Sequence, residues 1–207
     1  MGTRDGVGAI WQRLTAPAWV QTARVLGQFL QWPVGWETTP PAQERWPQES
    51  SLIIPTGAEG AAWAGIRVGA RGWLVATVGG LLRAADVERL QRLVLGPETA
   101  PPEVAASVLA ELGNIVASRF LSVFADQIRT MWVPVPPQTT TGPWETVAHF
   151  LWEADPHRRW VTEMHWWLQG RPLEGWFAVW PRLDRTDGAP SGSGAGGPVV
   201  QAGRKPR

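Results

Sequence analysis

The chain has 207 residues, a formal net charge of +1 and 44% hydrophobic residues, enough for one well-buried core and a tail. Near-neutral charge argues against a nucleic-acid binder, which would carry a basic stripe, and the lack of cysteine excludes disulfides, thiol catalysis and Cys-ligated metal sites. No run approaches eighteen apolar residues and Met1 to Val7 lacks the order of a signal peptide, so no membrane association is expected and the cytoplasm is the default location.

In chain order, residues 1–16 hold glycines and charges without a period and are expected to be poorly structured. Pro17 reads as the start of a helix whose apolar positions Val20, Ala23, Leu26, Phe29 and Leu30 follow a helical period. From Trp32 to Ser50 the composition suggests a short strand inside a long connection. Residues 61–67 and 72–78 read as a hairpin around the turn residues Gly69, Ala70, Arg71 and Gly72. Ala84 to Leu95 is a compact amphipathic helix stopped by Gly96.

Pro101 and Pro102 begin the longest predicted helix, which runs to about Gln127. Four strands are predicted after it, at 131–135, 146–154, 159–169 and 173–181. Asp155, Pro156 and His157 would turn the second into the third; Gly170, Arg171 and Pro172 would turn the third into the fourth. Residues 183–207 are rich in Gly, Ser, Pro and charge and are expected to be a disordered tail, leaving 17–182 as the domain. The order implies an α+β layered fold, helices packed on a largely antiparallel sheet. It also suggests two related halves, each a helix plus strands, although no repeat shows in the sequence.

One asparagine occurs in the whole chain, Asn114, and it lies in the pattern Ser107, Glu111, Asn114, Pro137, or S-x3-E-x2-N-x22-P. Asn, Lys and Tyr are otherwise nearly absent, as expected of a GC-rich coding sequence, so an asparagine that persists there merits a reason. Taking it as given, chance would supply the three other residues roughly once in three thousand shufflings, which makes the match a specific one. On a wheel of about 100° per residue, Glu111 falls near 40° from Ser107, Asn114 near −20° and Ser118 near 20°. Leu109, Leu112, Val116, Phe120 and Val123 fall on the opposite side, and Leu121 at the edge of the polar one. Glu111 and Asn114 are therefore expected to project outward together, one turn apart. Ala110, Gly113 and Ala117 flank them; either another macromolecule approaches closely there, or the helix packs tightly on another helix of its own domain.

These residues resemble the CheC/CheX/FliY family of bacterial chemotaxis phosphatases, whose motif D/S-x3-E-x2-N-x22-P is met by Ser107, Glu111, Asn114 and Pro137. The run from Glu111 to Ser118 also reads like the family's helix, and the element order over about 17–181 is similar to the CheX arrangement. CheC-type members usually carry two such helices; the first helix here has no Glu-x-x-Asn, so a single-site, CheX-like member is the closer match. The resemblance implies that the chain stimulates hydrolysis of the aspartyl phosphate on a phosphorylated CheY-like response regulator. Asn114 would orient the attacking water, Glu111 would dock on the receiver's lysine, and Ser107 and Pro137 would support them. The chain itself would bind no cofactor or metal, the Mg²⁺ belonging to the receiver, and a homodimer through the sheet is a further implication.

A carboxamide suits such a role, because it accepts one hydrogen bond from water and donates another without competing as a base. The plainer alternative for Glu111 and Asn114 is a solvated helix face. A non-catalytic receiver-binding or flagellar-switch-like module on the same fold is the main functional rival, and a domain binding an unrelated partner through its tryptophans is another. Gly192, Gly194 and Gly197 match G-x-G-x-x-G but follow no strand and open no helix, so no nucleotide site is inferred. Glu153, Asp155 and His157 read as turn residues, His149 and His165 as strand residues without a paired acid, and Ser118 and Arg119 as ordinary surface.

Overall fold

The computed structural model describes residues 4–44, 61–72, 75–97, 101–152 and 159–182. In order they form α1 (Arg4–Leu30), β1 (Val34–Glu44), β2 (Trp63–Gly72), β3 (Val75–Arg83), α2 (Ala84–Leu95) and α3 (Pro102–Ile128). Then follow β4 (Trp132–Pro134), β5 (Gln138–Gly142), α4 (Trp144–Trp152), β6 (Arg159–Leu168) and β7 (Glu174–Arg182). The strands make one antiparallel sheet in the order β1-β6-β7-β3-β2-β4, with β5 also on β2. The expected α+β architecture is present.

The expected halves are legible in the pairing. Each reads helix, strand, hairpin: α1, β1, β2–β3, and then α3, β4 with β5, β6–β7. The first strand of each half pairs with the hairpin of the other, β1 with β6 and β4 with β2. Exchanging β1 with β4, β6 with β2 and β7 with β3 therefore reverses the sheet order onto itself.

Strand alternation splits the sheet into two faces. Ala64, Ile66, Val68, Val78, Met164, Trp166, Phe177 and Val179 join α1, α2 and α3 in the larger core, with Trp19, Leu26, Phe120 and Phe124 among its fully or almost fully buried side chains. The opposite face holds a smaller core in which Val147 and Leu151 of α4 meet Trp63, Leu81, Trp176 and Trp180. α1 is fastened beneath α3 by ring contacts, Trp11 on Phe124 at 5.1 Å and Trp19 on Phe120 at 4.4 Å. The Trp19 indole also donates to Thr162 Oγ1 at 2.9 Å, so it leaves no orphaned donor.

Four sequence expectations are corrected. Residues 4–16 are helical, and Pro17 lies inside α1 instead of opening it. Trp11 is buried and Leu14 packs on the core, which gives this first half an anchored side that its composition concealed. The predicted turn residues Gly69, Ala70, Arg71 and Gly72 belong to strand β2 instead: a side chain at Gly72 would overlap Trp132, and one at Gly69 would crowd Val135 at 3.0 Å. Residues 146–152 belong to α4, not a strand, and a strand missed by the pattern, β5, precedes them. Gly65 is what admits that helix, since a Cβ there would stand 2.8 Å from Val147. Finally β1 is an eleven-residue strand that spans more of its connection than expected. The predicted turn at 155–157 and the tail at 183–207 lie outside the described residues.

Candidate functional site: an exposed stripe on α3

α3 begins behind Pro101 and Pro102, whose fixed φ suits a first helical turn. It ends where Arg129 takes the left-handed conformation and its N–H bonds Ala125 O, with Thr130 N–H closing on the same carbonyl at 3.0 Å. Leu109, Leu112, Val116, Phe120 and Phe124 are buried in the larger core. Ser107, Glu111, Asn114, Ser118 and Ser122 are exposed. The stripe therefore follows the predicted wheel, except that Leu121, placed at the polar edge, is buried in the core shared by α1 and α3. The segment 106–128 has the length and mean hydropathy, 1.4, of a membrane span, yet its apolar side is already covered by the domain and its open side is polar.

Gly113 has a different reason from either expected one. It is buried, and a Cβ there would overlap Ile66 Cγ2 and touch Val68 at 3.5 Å. The helix rests directly on strand β2 at this turn, and with Ala117 also fully buried the two small residues face inward. Asn114 is thus carried by a turn of α3 that rests directly on the sheet.

The four motif residues fall into two groups. Glu111 and Asn114 share the exposed face at i, i+3, where Cβ atoms stand about 5–6 Å apart. Glu111 makes no hydrogen bond or ion pair among the described residues, so its carboxylate is available. Asn114 Oδ1 accepts a long hydrogen bond, 3.4 Å, from Ser118 Oγ, which gives Ser118 a part that sequence reading did not foresee. Ser107 occupies the same stripe, but its hydroxyl donates to Glu103 O at 2.9 Å and is spent on the helix backbone.

Pro137 is half-buried in the link between β4 and β5. Ile66 pairs with Thr139 and Arg67 with Gln138, whereas Ala70 pairs with Pro134, so residues 135–137 form an irregular step opposite Val68 and Gly69. Val135 N–H still reaches Gly69 O at 2.8 Å. A proline lacks a ladder donor and is tolerated at such a step on an edge strand. Pro137 therefore shapes the edge beside the part of β2 on which Gly113 sits.

The site is an exposed helix face, a ridge of side chains along α3. Three surface cavities of about 490 to 600 Å³ are lined by other residues. Among the described residues no group of three His, Asp or Glu is placed to hold a metal ion. Arg119, beside the stripe, binds α1 through Gln21 Oε1 at 3.0 Å. His149 lies on α4, and His165 contradicts the expectation of a histidine without an acid: its ring nitrogens meet Glu37 at 3.0 Å and Glu174 at 3.2 Å across neighbouring strands. What the ridge can do chemically is present a carboxamide and a carboxylate, one turn apart on a rigid support, to a concave site on another molecule.

No protein-family model and no curated protein matches the chain in sequence. Its structure is similar to FliY from Thermotoga maritima, with 14% identity, a TM-score of 0.62 and coverage of 86% of this chain and 91% of that one. It is similar to the chemotaxis protein CheX from Desulfovibrio desulfuricans, with 10% identity, a TM-score of 0.57 and coverage of 81% and 97%. A third similar structure is CheX from Borrelia burgdorferi, solved in a complex with CheY, BeF₃ and Mg²⁺, at 12% identity, a TM-score of 0.57 and coverage of 81% and 97%. The chain has the fold of the CheX, CheC-like and FliY chemotaxis proteins.

Proposed function

We propose that this chain, built on the CheX fold, is a CheX-like phosphatase that stimulates hydrolysis of the aspartyl phosphate of a CheY-like receiver domain in the cytoplasm. The observation that carries the reading is the outward pair Glu111 and Asn114, one turn apart on a helix whose back is locked into the core. A solved complex of a CheX with CheY, BeF₃ and Mg²⁺ on the same fold supports a receiver as the partner.

The chemistry asks little of the phosphatase itself. An acyl phosphate is already prone to hydrolysis, and the receiver's own Mg²⁺ and lysine can take the developing charge; what is missing is a water held in line with phosphorus. Asn114 on its ridge supplies that position, its carboxamide accepting from the water with Oδ1 and donating with Nδ2. Rotation of the Ser118 hydroxyl away from Oδ1 frees that acceptor. Glu111, which makes no hydrogen bond or ion pair among the described residues, meets the receiver's lysine and fixes the pose. Ser107 and Pro137 act indirectly, through the helix backbone and the neighbouring edge strand.

The reading is tested by following the first-order decay of ³²P-labelled receiver domains in Mg²⁺ with increasing amounts of the chain. Decay that accelerates in proportion to the chain supports it. Binding without acceleration is the behaviour of a non-catalytic receiver-binding module and overturns the enzymatic assignment.

A further inference from the structure

Where the C-terminal half of α2 meets the β6–β7 turn there is a surface cavity of about 490 Å³ that shares no residue with the α3 stripe. Leu93 and Pro172 give its accessible apolar lining, with the buried Leu168 and Leu173 beneath, and every charged side chain lining it is an arginine: Arg89, Arg92 and Arg171. Two of these guanidiniums are held in place. Arg89 NH1 donates to Asp86 Oδ1 at 2.7 Å and to Pro172 O at 2.8 Å, and the Asp86 carboxylate is itself buried. Arg171 lies over the Trp32 ring at 4.0 Å. Among the described residues Arg92 pairs with Glu88, at 4.0 Å and with both side chains largely exposed.

Among the described residues, Arg171 has no carboxylate partner, and the remaining nitrogens of Arg89 are unused. Three like charges thus line one hollow, two of them pre-positioned: Arg89 is paired with Asp86, Arg92 meets Glu88 at the 4.0 Å limit of an ion pair, and Arg171 has no acid beside it among the described residues. Guanidinium forks recognise oxyanions through paired N–H donors, and a phosphate offers three terminal oxygens to forks arriving from different directions where a carboxylate offers two. The cavity volume also lies in the range of about 300–1,000 Å³ typical of small-ligand sites, which combine apolar walls with a few convergent polar groups.

We propose that this cavity binds a small organic phosphate, its phosphoryl group held by Arg89, Arg92 and Arg171 and its apolar or aromatic body laid on Leu93 and Pro172. The site is independent of the receiver-directed function and stands or falls separately.

The test is calorimetric titration of the full chain at physiological salt with phenyl phosphate, inorganic phosphate, benzoate and phenol. Phenyl phosphate should bind saturably and at least tenfold more tightly than inorganic phosphate or benzoate, and phenol should not bind measurably. The double substitution Arg92→Ala and Arg171→Ala leaves the buried Asp86–Arg89 pair intact. It should weaken phenyl phosphate at least tenfold while the thermal melt is unchanged. Arg171→Lys, which keeps the charge and loses the fork and its stack on Trp32, should weaken it several-fold. Absence of saturable phenyl phosphate binding at millimolar concentration, or an affinity indifferent to the double substitution in a protein that melts normally, would overturn the proposal.

Discussion

At Gly113 the sequence shows a cost without its cause, since glycine inside a helix loses about 1 kcal/mol relative to alanine. The cause is Ile66, on a distant strand, with which any Cβ would overlap. Gly113→Ala should therefore destabilise the protein by about 1–3 kcal/mol despite its better helix propensity, the usual cost of overpacking a filled core. Urea denaturation of the two proteins checks this, and a more stable variant would mean that α3 sits further from β2. The outward direction of Glu111 and Asn114 was legible because it depends only on helical geometry and on an apolar side strong enough to be anchored. The inward direction of Gly113 was not, because it depends on a tertiary contact. Leu121 was misplaced for the same reason, α1 covering a side of α3 that a wheel drawn for one helix leaves open.

Among the elements, α2, α3, β6 and β7 could be read from the chain because amphipathic periods and turn residues bound them. The N-terminal half of α1 could not: its glycines and charges hide a single large anchor, Trp11, which is buried edge-on against Phe124. Trp11→Ala should cost about 3–5 kcal/mol, as for other buried tryptophans, and a midpoint in chemical denaturation equal to the wild type's would contradict this account of α1. α4 was misread because Trp, Thr, Val and Phe favour strands when considered alone, whereas the glycine of β2 beneath them leaves room for a helix. α2 carries a pH signature of its own. Burial pushes the Asp86 carboxyl above its ordinary value, and hydrogen bonding and charge from Arg89 offset this only in part. A raised folded pKa means that the folded state holds the proton more tightly than the unfolded chain. Asp86 therefore contributes stability most fully below the unfolded pKa and loses it as pH rises through the folded one. Relative to Asp86→Asn, the wild type should gain stability on going from pH 7 to about pH 4. A stability difference that stays flat or moves the other way would place Asp86 in a more solvated setting.

On the scale of the whole molecule, the sheet order maps onto its reverse when the halves are exchanged, yet only α3 carries the Glu-x-x-Asn pair. The architecture is doubled and the Glu-x-x-Asn pair is single. The exposed Glu111–Asn114 pair was legible because its residues are close in sequence, whereas the arginine-lined cavity brings together α2 and the β6–β7 turn and exists only once the sheet has closed. The proposed function rests on a second molecule whose site the carboxamide enters, and it predicts that recognition and hydrolysis can be separated. The most direct measurement takes Asn114→Ala beside the wild type, recording ³²P loss from the receiver and binding of the receiver trapped with beryllium fluoride. The account predicts that stimulated hydrolysis falls on the order of 10²-fold or more, the usual consequence of losing one positioning group, while the trapped receiver binds as before; hydrolysis by the variant at the wild-type rate would contradict it.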